Sequence, residues 1–343
     1  LLLHTDVVAA VAAGCPVVAK PTSRAPAFAE LYAALLEEAD LGRGVVNVIA
    51  AGDSDSAREL AAGESDVLLF SGSQRVALPL VRELAERAPG RRARVLGSGR
   101  GAALLLADAN IEQALLHVVS GALAGAGQRC TSTRRVIVER PLLEDARTRL
   151  RELLERVVVG APSQADSAMG PLVGEDLARR FLAEHKRVAA LDGAQSVLAP
   201  TRLSRRGGAY VRPGLVEVPP AQLEAALADD PCGPLLVLCP CDSPEHGVEL
   251  INSSPDGLCM SVFARDDLRR AAVRDAQRVG LCVFDGPTTA WPCERLPLAA
   301  SGTASIGGAA GLAATMQLCQ RGAAVIELAP EIDQTMLPPG LIG

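Results

Sequence analysis

Aromatic side chains are scarce: 343 residues include five Phe, two Tyr and one Trp, 2% of the chain. So little stacking surface argues against a protein that binds bases. Positive charge is also short. The 34 Lys and Arg face 40 Asp and Glu, for a net charge of −6, which argues against nucleic acid as the main partner. No apolar run approaches the roughly 20 residues of a membrane span, and no secretory signal is visible. The nine cysteines keep no framework spacing. An odd, scattered set fits a reducing compartment, so a cytoplasmic location is expected. Cys239 and Cys241 flank Pro240 with no second Cys/His pair nearby. A structural zinc site wants four clustered ligands, so no metal is expected.

What is present is an ordinary globular composition, 49% hydrophobic and 22% charged. The length suits two domains with cores of Leu, Val and Ala. Over the first hundred residues, short apolar runs at 16–19, 45–49, 67–70 and 94–96 alternate with helix-period segments at 25–39, 54–62 and 74–87. That pattern predicts α/β architecture with a parallel sheet covered on both faces. A second series follows. Helices are expected near 111–124, 143–157, 177–190 and 268–279, and strands at 136–138, 235–238 and 261–263. Asp108–Asn110 reads as a hinge between the halves. The chain opens on Leu1-Leu2-Leu3-His4 and runs straight into a helical pattern, as an internal start would.

Several short motifs carry chemistry. Gly127-Gln128-Arg129-Cys130-Thr131 sits between a helix and a strand, after the small residues Ala122, Ala124 and Ala126. Cys130 is placed to be a nucleophile there, given a thiolate, although a lone cysteine is more often a buried small hydrophobe. Arg129, Arg134 and Arg135 supply nearby charge, or are simply solvated. Arg129 is the natural partner for an anionic substrate group. Phe70-Ser71-Gly72-Ser73 closes a strand and opens a helix, whose N-terminus offers N–H groups to pyrophosphate. It is not a G-x-G-x-x-G fingerprint, and alone it reads as a capped turn. Lys20-Pro21 ends a strand where a lysine meets ribose hydroxyls or a 2′-phosphate. Alone it reads as a surface lysine. Asp229-Asp230-Pro231-Cys232-Gly233-Pro234 precedes a strand, either as an acid for a ribose diol or as a polar turn.

Read in order, these pieces resemble the aldehyde dehydrogenase superfamily. The series is Lys20-Pro21, Phe70–Ser73, Leu96-Gly97, the Cys130 motif, Met169-Gly170-Pro171-Leu172, the Gly-Gly-x-Tyr stretch ending at Tyr210, Gly233-Pro234, and Asn252 through Leu258. Within the superfamily the look is nearest to succinylglutamate semialdehyde dehydrogenases. That rests on Gly-Gln-Arg-Cys-Thr, on Arg134-Arg135 and on the tail Thr335-Met336-Leu337-Pro338-Pro339-Gly340-Leu341.

The resemblance implies an α/β aldehyde dehydrogenase-like fold. An incomplete NAD(P)-binding domain would occupy residues 1–108, a catalytic domain 109–297, and a return segment with an oligomerisation tail 298–343. It implies oxidation of a small-molecule aldehyde, such as a semialdehyde, to a carboxylate with NAD or NADP. Cys130 would be the nucleophile, and Arg129 and Thr131 would meet substrate. Lys20, Ser71, Gly72, Ser73 and Gly97 would surround the cofactor, and Asp230 would stand at the nicotinamide ribose. No nucleic-acid or membrane partner is implied. A homo-oligomer, or pairing with an active paralogue, is. The apolar run at residues 323–329 would supply a joining strand.

The departures cluster on the chemistry. Val95 stands where the family has its general-base Glu, and Ser23 stands where many members have a ribose-binding Glu. Cys232, Asp285 and Leu298-Ala299-Ala300 replace an aromatic, a late Asn and a Phe-Gly-Gly. An upstream segment carrying an oxyanion-binding Asn is also expected in the family and lacking here. The expected activity is therefore impaired oxidation. The alternative is a weak or inactive scaffold or regulatory subunit. Acyl transfer from the thioester to a thiol such as coenzyme A would dispense with a water-activating base.

Overall fold

The computed structural model describes residues 2–50, 59–60, 62–63, 65–87, 89–97, 99–203, 209–228, 232–290 and 295–319. Asp229, Asp230 and the tail run 323–329 lie outside these residues.

The larger unit is a seven-stranded sheet in the order β12-β11-β5-β6-β9-β8-β7. Its strands are β5 (Gly101–Leu105), β6 (Thr133–Glu139), β7 (Gln195–Leu198), β8 (Gly214–Glu217), β9 (Leu235–Cys241), β11 (Cys259–Phe263) and β12 (Leu281–Phe284). Pairing is parallel throughout except between β7 and β8. Every residue of β5, β6, β9 and β11 is buried. That is why these strands read as near-continuous apolar runs rather than as alternation. Helices α4 (Ile111–Leu123), α5 (Leu143–Glu155), α6 (Glu175–Ala189), α7 (Pro244–Asn252) and α8 (Asp267–Ala276) contribute the other side of the core. Their starts follow local chemistry. Asn110, Ser243 and Asp266 each cap the helix that follows by accepting from a first-turn amide.

The smaller unit contains β1 (Val17–Ala19) paired in parallel with β2 (Val46–Val48), and a separate sheet β14-β4-β3. In that sheet β3 (Val67–Ser71) and β4 (Arg92–Leu96) run parallel, and β14 (Ser305–Ile306) returns antiparallel on β4. Among the described residues the expected first sheet is therefore in two pieces. Helices α1 (Leu2–Ala12), α2 (Pro26–Glu38), α3 (Gln74–Arg87) and α9 (Leu312–Cys319) accompany it. The chain reaches the large sheet at Gly101, so β5 already belongs to the second unit ahead of Asp108. Asp108 is a fixed acceptor there. Its carboxylate takes the Arg265 and Asp266 amides at 2.7 Å each and the Arg269 guanidinium at 2.8 Å. Burial alone would raise its pKa, but these donors outweigh burial and hold it below the ordinary carboxylate range.

The return segment joins the units: β13 (Ser301–Gly302) pairs with β10 (Asp256–Gly257), and β14 then pairs with β4. Buried Asp256 anchors it, meeting Arg100 at 3.1 Å and accepting from the Thr303 hydroxyl. Gly302 has φ +64, and a Cβ there would lie 1.9 Å from the Pro255 carbonyl oxygen, so only glycine fits. Within the smaller unit lies a buried ionic cluster. Arg94 on β4 is fully enclosed and donates to Asp6 of α1 and, at 2.8 Å, to Thr315 of α9.

Removing one partner from such a pair leaves an uncompensated buried charge. Asp6→Ala should therefore destabilise the protein by about 3–5 kcal/mol in urea unfolding. The apolar double replacement Asp6→Leu with Arg94→Met should recover most of that loss. A single variant as stable as the parent would show that the pair contributes nothing.

Candidate active site

After α4 the chain turns through three successive left-handed residues, Gly125 (φ +62), Ala126 (φ +55) and Gly127 (φ +69). An L-residue in this region costs about 1–2 kcal/mol, so Ala126 stores strain at the head of the Cys130 loop. The loop then tightens, with the Gln128 amide on the Gly125 carbonyl and the Ser132 amide on the Arg129 carbonyl, both at 3.1 Å. Gly127 needs more than its torsion. A Cβ there would sit 2.7 Å from the carbonyl atoms of Gly233 and 2.8 Å from the Pro234 nitrogen.

Motifs far apart in sequence meet on this loop. The Gln128 side chain donates to the Gly125 carbonyl at 3.0 Å and accepts the Val173 amide at 2.9 Å, which ties in the stretch after Met169-Gly170-Pro171-Leu172. Arg134 donates to the Gly233 carbonyl at 2.8 Å. A Cβ on Gly99 would lie 2.8 Å from the Cys130 carbonyl oxygen and 2.6 Å from Leu258. Cys130 itself is half-buried and packs on an apolar cluster containing Leu96, Leu258, Leu298, Ala304 and Ala310. Leu96 is the β4 member of that cluster. Val95 is buried, in register with Phe70 on β3 and Ile306 on β14.

Other expected site residues behave unequally. Arg129 is exposed at the loop surface. Thr131 is buried, and its carbonyl accepts the Cys259 thiol at 3.6 Å. Arg134 and Arg135 are not solvated charges; both are buried. The ladder between β5 and β6 slips so that Gly101 faces Thr133 while Ala102 faces Arg135. The slip leaves Arg134 as an extra, re-aimed residue, as a bulge does. Arg135 donates to the Arg100 carbonyl at 3.0 Å and to the Leu250 and Ile251 carbonyls at the end of α7. Burial, and then the neighbouring Arg100 charge, push its pKa down to about 10.

The thiols also separate. Burial pushes Cys239 and Cys241 up to about 12 and Cys282 up to about 11. Cys259 is driven higher, first by burial and then by Cys130 beside it. Such thiols are poor nucleophiles.

At the smaller unit, half-buried Lys20 follows β1. The same loop reaches across to the large unit through Arg24, which grips Asp176 in the first turn of α6 at 2.9 and 2.7 Å. That fork holds the Asp176 carboxyl down at about 2. Ser71, Gly72 and Ser73 are exposed where β3 gives way to α3, and the Ser73 carbonyl accepts the first helical bonds. Lys20 follows β1 and Ser71 ends β3, strands of separate sheets. Gly97 does not offer its amide to a ligand. It is buried, and its N–H is taken by the Ala304 carbonyl at 2.8 Å. Asp230 lies outside the described residues. Among the described residues no His, Cys, Asp and Glu gather as metal ligands.

Comparison with known proteins gives one consistent result. The sequence profile of the aldehyde dehydrogenase family matches residues 1–321. The chain is 30% identical over 279 residues to 2-hydroxymuconic semialdehyde dehydrogenase of Pseudomonas putida, covering 79% of this chain and 56% of that protein. It is 31% identical over 315 residues to N-succinylglutamate 5-semialdehyde dehydrogenase 1 of Caulobacter vibrioides, covering 90% and 63%. The solved lactaldehyde dehydrogenase of Escherichia coli superposes with a TM-score of 0.84 at 23% identity, covering 92% of this chain and 65% of that one. The chain thus spans between about half and two thirds of the length of the curated relatives it matches.

The loop geometry is directly testable. Gly125→Ala meets only the Arg129 side chain at 3.4 Å, so it should cost about 1–2 kcal/mol for its torsion alone. Gly127→Ala must also move the Gly233 backbone and should cost at least twice as much in denaturant unfolding. Equal costs would mean that Gly127 and Gly233 do not pack as described.

Proposed function

The chain belongs to the aldehyde dehydrogenase family, and we propose that it oxidises a semialdehyde to the carboxylate through Cys130. What supports this reading is the meeting of the Val173, Gly233-Pro234, Gly99 and Leu258 segments on the loop that carries half-buried Cys130.

In the proposed sequence the Cys130 thiolate adds to the aldehyde carbon, giving a thiohemiacetal oxyanion. A bound NAD or NADP would supply the hydride acceptor. Loss of hydride leaves a thioester on Cys130, and water then releases the acid and restores the thiol. Lys20 and the exposed Ser71-Gly72-Ser73 turn would hold the dinucleotide. Exposed Arg129 would meet an anionic group on the substrate. Thr131 is too enclosed for more than a supporting part through its backbone.

The hydrolytic step is the weak one in this proposal. Val95 is a buried apolar residue at the family's base position, and its β4 neighbour Leu96 belongs to the apolar cluster on which Cys130 packs. A general base typically contributes about 10²–10⁴-fold. The same observation favours the second reading, an inactive scaffold that pairs with further copies or with an active paralogue.

Rapid mixing with a semialdehyde and NAD or NADP separates the two readings. The expected trace is a burst of reduced nicotinamide approaching one per chain, then a steady state slower by about 10²-fold or more. Cys130→Ser should abolish the burst. A parent protein with no burst and no turnover would leave the scaffold reading.

A further inference from the structure

Two free cysteines meet where the first and last described elements close on each other. Cys15 is half-buried in the turn between α1 and β1, and Cys319 is the buried last residue of α9. The Cys15 thiol donates to the Cys319 carbonyl oxygen at 3.4 Å, across 304 positions of sequence. Adding the C=O and Cα–C bond lengths places that sulfur within about 6 Å of the Cys319 Cα. In a disulfide each sulfur stands about 4–5 Å from the opposite Cα, given an S–S bond of about 2.05 Å, so rotation of both side chains with a shift of the helix end of at most about 2 Å closes the gap.

The meeting is held from several sides. Arg92 donates to the Leu318 carbonyl at 2.6 Å. Arg94 binds Thr315 one turn earlier and Asp6 on α1. Among the described residues, Cys239 and Cys241 are both buried on β9, and Cys259, beside half-buried Cys130, is sealed beneath the Thr131 carbonyl. Burial raises the Cys319 thiol, Cys15 adds to that rise, and the Arg92 charge opposes both. The more accessible Cys15 is thus the thiol that meets an oxidant first, and Cys319 is the thiol that resolves it.

We propose that Cys15 and Cys319 are a reversible redox pair, oxidised to a disulfide by a hydroperoxide. The Cys15 thiolate attacks the peroxide O–O bond, giving a sulfenic acid and, for hydrogen peroxide, one water after proton uptake. The Cys319 thiolate then attacks the Cys15 sulfur, and the sulfenic oxygen leaves as a second water. In balance, two thiols and one hydrogen peroxide give one disulfide and two waters. The bond would staple α9 to the β1 corner and so fix the packing behind β4, whose Leu96 lies in the Cys130 cluster. The proposal is independent of whether Cys130 is active.

Peptide mapping of the full chain tests it. The protein is treated with hydrogen peroxide, alkylated, digested without reductant and analysed by mass spectrometry. The expected product is an intrachain peptide pair joining Cys15 to Cys319, removed by dithiothreitol and absent in Cys15→Ser and Cys319→Ser. The oxidised parent should melt several degrees above the reduced parent, because the bond closes a long loop. Cys15 found as sulfenic or sulfinic acid with Cys319 still alkylatable would overturn the proposal. So would a bridge from either residue to another cysteine or to a second chain.

Discussion

The constraint on which this architecture turns is the absence of a side chain at Gly127. Its bare Cα allows the Cys130 loop to lie against the backbone of Gly233 and Pro234, with 2.7 Å separating the carbonyl from where a Cβ would stand. The same Gly233 carbonyl accepts Arg134. One glycine thus couples the end of α4, the bulged start of β6 and the entry to β9. The left-handed turn that delivers Gly127 includes strained Ala126. Strain of this kind persists only where surrounding packing over-determines the backbone. Here the surrounding packing is the fully buried core of the seven-stranded sheet.

The smaller unit depends on this centre indirectly. Strand β4 carries Leu96 to the Cys130 cluster, and β4 is positioned by both the first and the last of the described elements. Strand β14 holds one side of it, and Asp6 of α1 and Thr315 of α9 hold its Arg94. Arg24 and Asp176 add a fork between the units, but half-exposed ion pairs contribute little stability. Their effect is orientation of the loop that bears Lys20.

Much of this was legible in the sequence because it rests on local rules. The helices expected near 111–124 and 268–279 form at Ile111–Leu123 and Asp267–Ala276, and the motif order from Lys20 to Leu258 follows the family that the profile matches. Arg134 and Arg135 were not legible. Their enclosure depends on a register slip and on the end of a helix more than a hundred residues away. The two-residue strands of the return segment carry too little periodicity to register. The division of the first sheet, the antiparallel β7–β8 pair and the use of the Gly97 amide by Ala304 are likewise tertiary facts. Asn252 illustrates the middle case: the motif is visible, but its bonds to Ala276 and Arg278 at the end of α8 are not.

The central claim is that converging segments make Cys130 the chemically distinct thiol of this chain. Timed alkylation of the native protein with iodoacetamide, read cysteine by cysteine by mass spectrometry, tests that claim most directly. The account predicts that Cys130 is modified first, ahead of half-buried Cys15 and Cys232 and far ahead of Cys239, Cys241, Cys259 and Cys282. Modification of Cys130 no faster than Cys15 or Cys232 would contradict it.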